Sequence, residues 1–107
     1  MIYAVEFTKR AAADFDEALQ WYRIRSLEAA NKWIVAIERA LDALERNPEQ
    51  FPIAQEDGLR GLTLRDCAIG GGRRITHRMI FAIRPSKVVV YTIWHTSRGD
   101  LTLEELL

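Results

Sequence analysis

Cysteine is nearly absent from this chain: Cys67 is alone, so no internal disulfide can form. Its neighbours Arg65 and Asp66 do not mark it as a nucleophile, and it reads as a small buried residue of a strand. Two histidines beside one cysteine offer no ligand cluster at a recognisable spacing, so neither a metal nor another cofactor is expected. Prolines are few, at three, and no tract is repetitive or compositionally biased, which excludes fibrous and disordered classes. No apolar run approaches the roughly 18 residues of a membrane span. The start of the chain carries Glu6 and no basic-then-apolar leader, so the cytoplasm is the expected location. What remains is the composition of an ordinary globular chain, 49% hydrophobic and 28% charged over 107 residues, enough for one domain with one real core.

Net charge is also absent, but only in the sum. Met1 to Asp57 holds seven basic and eleven acidic residues, whereas Gly58 to Asp100 holds eight basic and two acidic. The second half is therefore a cation, and a polyanionic partner would suit it.

The chain is organised around the run from Arg73 to Arg84, where β-branched and aromatic residues alternate with arginines in the manner of a strand. Ile75, His77, Met79, Phe81 and Ile83 share one face; Arg74, Thr76, Arg78, Ile80 and Ala82 share the other. Val88 to His95 reads as a second strand, and Arg84-Pro85-Ser86-Lys87 between them is short enough for a hairpin. That pairing returns His95 and Arg98 beside Arg74 and Arg78.

Ile2 to Phe7 alternates loosely as a first strand. Thr8 caps a helix from Lys9 to about Arg25, with Ala11, Phe15, Ala18, Leu19 and Tyr22 inward and Asp14, Asp16 and Glu17 left for solvent. Ser26 caps a second helix, whose stripe is Leu27, Ala30, Ile34, Ile37, Leu41 and Leu44, and Asn47-Pro48 ends it. So short a connection requires an antiparallel helical hairpin lying on the sheet. Glu49 to Arg60 is irregular, and Leu62 to Ile69 is a further strand. Gly70-Gly71-Gly72 reads as a mobile hairpin tip; neither the lysine and serine of a phosphate-binding loop nor a helix follows it. After the turn from Ser97 to Leu101, Thr102 to Glu105 has capping-box spacing ahead of a short terminal helix. The expected fold is α+β: an N-terminal strand, then a helical hairpin covering one face of a curved, mostly antiparallel sheet, then a short C-terminal helix. The other face would stand open.

Arg74, Arg78, His95 and Arg98 are the candidate catalytic residues around that open face. Arginine's planar fork suits phosphate, and metal-free RNA cleavage needs a base, an acid and cations at the phosphoryl oxygens. Each has a plainer reading: Arg74 and Arg78 solvated or paired with Asp66 and Asp100, His95 structural, Arg98 closing a turn on Asp100. His77 reads as a satisfied core histidine. Trp21, Tyr22 and Trp33 lie on the helices and are explained by packing, with an outer face that could receive a partner segment.

Trp21-Tyr22, Ile37 to Leu44 closing on Asn47-Pro48, His77 to Ile83, Val88-Val89-Val90 and Ile93-Trp94-His95 through Arg98 occur in an order and spacing that resembles the RelE/ParE superfamily of bacterial type II toxins. The resemblance implies a toxin of a plasmid-stabilisation type of system, wrapped by the disordered tail of a cognate antitoxin and arresting growth when freed. RelE-like members cleave mRNA in the ribosome with basic residues, and Arg78 and Arg98 match that arrangement by position. The lysine pair of the preceding strand is missing, and no tyrosine follows Arg98. Some members use a glutamate, arginine and histidine, which Glu56, Arg78 and His95 resemble only loosely, and Glu56 is not carried over. ParE-like members bind DNA gyrase and have the long hairpin seen here, which favours the ParE side. The alternatives are a ribosome-dependent endoribonuclease and an inactive relative that only binds antitoxin.

Overall fold

A computed structural model describes residues 2–58, 61–71, 74–99, 101–102 and 105. Strand β1 (Ala4–Phe7) leads into α1 (Lys9–Arg25), which turns through Ser26 into α2 (Leu27–Arg46); β2 (Arg65–Gly71), β3 (Arg74–Ile83) and β4 (Lys87–His95) follow. The caps are those the sequence offers. Thr8 Oγ1 accepts the Ala11 N–H and Ser26 Oγ accepts the Ala29 N–H, each at 3.1 Å, and the Ser26 N–H closes α1 by donating to the Tyr22 carbonyl. Pro48 follows the Asn47 C-cap and stops α2.

The sheet order is β1-β4-β3-β2, with β1 parallel to β4 and the other pairs antiparallel. Between β3 and β4 the register jumps from Ile80–Thr92 to Phe81–Val90, making Tyr91 an extra residue. Asp14 serves that bulge: its Oδ2 accepts the Thr92 hydroxyl at 2.5 Å and the Ile93 N–H at 3.1 Å, while Oδ1 takes Arg10. Asp14 is therefore bound rather than left to solvent, because a bulge orphans a backbone donor and a carboxylate one helix away can satisfy it. Gly70 and Gly71 are paired within β2, opposite Ile75 and Arg74, and are not a hairpin tip; Gly72 lies outside the described residues. A Cβ on Gly70 would meet the Arg74 carbonyl oxygen at 2.2 Å, so close approach of the two strands demands glycine there.

Both helices pack on one face. Trp33, Ile37, Ala40 and Leu44 of α2, with Ala11 of α1, bury against Cys67, Ile69, Met79, Phe81, Val88, Val90 and Ile93. The buried stripe of α2 runs through Trp33 and Ala40, one position off Ile34 and Leu41, and Leu27 at its start is exposed. The opposite face, expected to be open, is closed by a second core: Ile80, Ala82, Tyr91 and Trp94 are covered by Ala54, Leu64 and Leu101. The covering loop is tied to the sheet edge by the Ala54 N–H to the Leu64 carbonyl at 2.8 Å and the Asp66 N–H to the Pro52 carbonyl at 3.0 Å. Beyond it, Thr102 and Glu105 form the reciprocal capping box; the rest of the expected terminal helix falls largely outside the described residues. Among the described residues no helix is long and apolar enough to cross a membrane.

Candidate functional site

Register decides which candidate side chains can meet. His95 stands opposite His77 and Trp94 opposite Arg78. Opposed residues share a face and successive residues do not, so His95 lies on the helix side of the sheet and Arg78 on the side of the second core.

Arg78 donates from all three of its nitrogens. Its Nη1 and Nη2 form a fork on Glu56 at 2.9 and 2.6 Å, and its Nε donates to Asp66 Oδ2 at 2.7 Å. The three side chains are 13%, 3% and 21% exposed. The Glu56 hydrogen bonds, opposed by burial and joined by Asp66, push the guanidinium pKa upward, so it is permanently charged. Burial by itself would raise the Glu56 carboxyl; the bonds and charge of Arg78 and the Leu101 N–H outweigh it, and Glu56 stays below the ordinary carboxylate value. Pairing with Asp66 was the plainer of the two readings of Arg78. Glu56, set beside Arg78 only loosely by the resemblance and not carried over, does meet it; it sits on an irregular loop whose return to the sheet leaves no periodic signal. A charge paired with two carboxylates has less left with which to hold a phosphate.

Arg74 stands exposed at the start of β3, opposite Gly71, and makes no ion pair among the described residues. Arg98 follows β4 in a 3-10 turn (Thr96–Arg98) and lays its guanidinium 4.1 Å from the centre of the Trp94 ring, with Glu105 at 3.9 Å. Trp94 in turn donates from Nε1 to the Gly99 carbonyl at 2.7 Å.

On the helix side His77 and His95 stack edge to face, with ring centres 4.8 Å apart. His77 is 4% exposed, and its Nδ1 accepts from the Trp33 indole Nε1–H at 3.3 Å. Burial, then the neighbouring His95, then partly opposed by Asp14, lowers the His77 pKa to about 4. It is thus a neutral core histidine, as its parity suggests. His95 Nδ1 accepts from the Ser97 N–H at 3.1 Å and contacts the Ser97 hydroxyl at 2.7 Å. Both imidazoles line a cleft of about 540 Å³ whose walls include Asp14, Glu17, Trp21, Tyr22 and Arg98. Among the described residues no group of His, Cys, Asp and Glu could hold a metal ion. Cys67 is buried, and burial, then Asp66, raises its thiol to about 12, which removes it as a nucleophile.

The geometry can be set beside known proteins. A family model described as "ParE toxin of type II toxin-antitoxin system, parDE" matches residues 5–99. The chain belongs to the ParE toxin family. The fold of this ParE toxin is also that of the chromosomal ParDE toxin-antitoxin system from P. aeruginosa, with a TM-score of 0.66, 19% identity, and 88% of this chain and 96% of that one covered. The YoeB dimer from Staphylococcus aureus matches at a TM-score of 0.45 and 12% identity, over 89% of this chain and 98% of that one. No curated protein matches it. As a member of that family the chain is a type II toxin of the RelE/ParE superfamily.

Proposed function

We propose that this ParE toxin arrests growth by binding DNA gyrase in the cytoplasm, without catalysing a reaction, and that a cognate antitoxin with a disordered tail wraps and silences it. The reading rests on one observation: Arg78 is neutralised by Glu56 and Asp66 on the face of the sheet opposite His95. Metal-free RNA cleavage needs a base and available cations around the same phosphate. Here the sheet separates the imidazole from the central guanidinium. The family match and the ParDE neighbour support an antitoxin partner. Neither a cofactor nor a membrane enters this reading.

One observation favours a second reading, a ribosome-dependent mRNA endoribonuclease using Arg74, Arg78, His95 and Arg98. Glu56 does lie on Arg78, as a glutamate, arginine and histidine set would require. Purified toxin decides between them. Loss of gyrase supercoiling with ribosome-bound mRNA intact is the expected result; cleaved mRNA with normal supercoiling would replace the first reading with the second.

A further inference from the structure

Among the described residues two hydroxyls rest on imidazole nitrogens, and the two pairs are not equivalent. Thr76 Oγ1 lies 2.9 Å from His77 Nδ1, and Ser97 Oγ lies 2.7 Å from His95 Nδ1. Both nitrogens are unprotonated: an indole N–H and a backbone N–H can only donate, so His77 Nδ1 accepts from Trp33 and His95 Nδ1 from Ser97. Each hydroxyl proton therefore points at a ring lone pair. At His77 that lone pair is shared with the indole, and burial, then His95, holds the ring at a pKa of about 4 despite Asp14. Such a ring is a weak base at neutral pH. His95 and Ser97 are both exposed.

The His95 ring is also held in place. It stands edge to face on His77, with ring centres 4.8 Å apart, and the Trp33 bond anchors His77 in its turn. A hydroxyl resting on an oriented, unprotonated imidazole is the ground-state arrangement of an activated serine. Capping of the 3-10 turn accounts for the Ser97 N–H on His95, but it does not require the hydroxyl. The other two serines, Ser26 and Ser86, make no hydrogen bond to an imidazole among the described residues. Beside the Ser97 hydroxyl lies the cleft of about 540 Å³, walled by Ala18, Trp21, Tyr22 and Ile93. Those walls suit an apolar or aromatic group.

We propose that Ser97 is a nucleophile that takes an acyl group from an activated ester, with His95 as its base and the cleft as the seat of an apolar or aromatic acyl chain. Ser97 Oγ attacks the carbonyl carbon, its proton passes to His95 Nδ1, and the leaving oxygen departs with the electron pair of the broken C–O bond. The imidazole then gives the proton to the leaving group or to water. Protonation of Nδ1 takes the acceptor from the Ser97 N–H, which becomes a donor for the oxygen on which negative charge collects. A positioned base contributes roughly 10²–10⁴-fold, so an ester with a good leaving group is required. The site is independent of the toxin's target. In the test the full chain, without gyrase or ribosome, is incubated with 4-nitrophenyl acetate or 4-nitrophenyl phenylacetate, and the adduct is located by peptide mass mapping. A single acyl group on Ser97 is expected, with the phenylacetyl ester reacting faster. Ser97→Ala should lose the adduct and His95→Gln should slow its formation on the order of 100-fold, both at exposed positions where the fold is kept. Trp21→Ala should cost the phenylacetyl ester about fivefold in rate and leave the acetyl ester unchanged. Acylation of Ser86 or of lysines as fast as of Ser97, or a wild-type rate in His95→Gln, would overturn the proposal. Equal rates for the two esters, or an advantage of phenylacetyl that survives Trp21→Ala, would overturn the acyl class.

Discussion

The two faces of the sheet are closed by different means. On the helix side, two capped helices lay a continuous apolar stripe over Cys67, Ile69, Met79, Phe81 and Ile93. On the other side a loop and the chain beyond β4 bring Ala54, Leu62, Leu64 and Leu101 among the described residues, and the margin of that small core is fastened by the Glu56–Arg78–Asp66 cluster. Apolar burial is non-directional and tolerates a stripe displaced by one position. A buried ion cluster has no such tolerance, because each member is satisfied only while the others stay in place. One face therefore degrades gradually under substitution and the other is expected to fail abruptly.

The sharpest break is at the cluster. Arg78→Ala leaves two carboxylates facing each other with Glu56 buried, and should cost about 3–5 kcal/mol in urea unfolding. An Arg78→Ala toxin that unfolds at the wild-type urea midpoint would show that the cluster does not fasten that face. Loss of killing in this variant is accordingly a folding effect unless its unfolding curve is normal.

Adjacent residues test whether the second face is truly closed. Met79 and Ile80 are both fully buried, one in each core. Met79→Ala and Ile80→Ala should each cost about 2–5 kcal/mol. A near-zero cost for Ile80→Ala alone would restore the open face.

Acid sharpens the comparison further. The folded His77 pKa, about 4, lies below its ordinary 6.5, so the unfolded chain binds a proton that the folded chain refuses. Stability is complete above pH 6.5 and falls as pH drops toward 4, by on the order of 3 kcal/mol. Glu56 is depressed as well, so its contribution is present above 4.5 and lost as the pH falls through its lowered folded value. His77→Gln should remove the loss between pH 6.5 and 4 while leaving the more acidic one. A curve unchanged by that substitution would assign the acid sensitivity elsewhere.

The smallest effect is at the hinge. Ser26→Ala removes the side-chain acceptor for the Ala29 N–H and should cost about 1 kcal/mol, with neither face changed.

Much of this architecture is legible in one dimension. Thr8, Ser26 and Asn47-Pro48 mark helix limits because capping chemistry is a matter of neighbours in the chain. The β3–β4 hairpin follows from alternation and a short turn, but the pairing of His77 with His95 depends on the register shift at Tyr91. The candidate site was only half readable for the same reason. Residue type and parity set His95 and Arg98 near one end of the sheet, but a shared end is not a shared face. Asp14 shows the limit well: its helical position points to solvent, and a bulge in β4, far along the chain, recruits it.

By itself, then, the order of residues determined the strand-helix-helix-strand-strand-strand succession, the helix ends and the kinship with ParE toxins, since each depends on periodicity or local bonding. Only the tertiary structure decided that the second face is covered, that Glu56 joins Asp66 on Arg78, and that His77 and His95 line one cleft. Those outcomes depend on where an irregular loop returns and on a register shift at Tyr91. Neither has a period in the sequence, and both are settled by contacts between residues far apart along the chain.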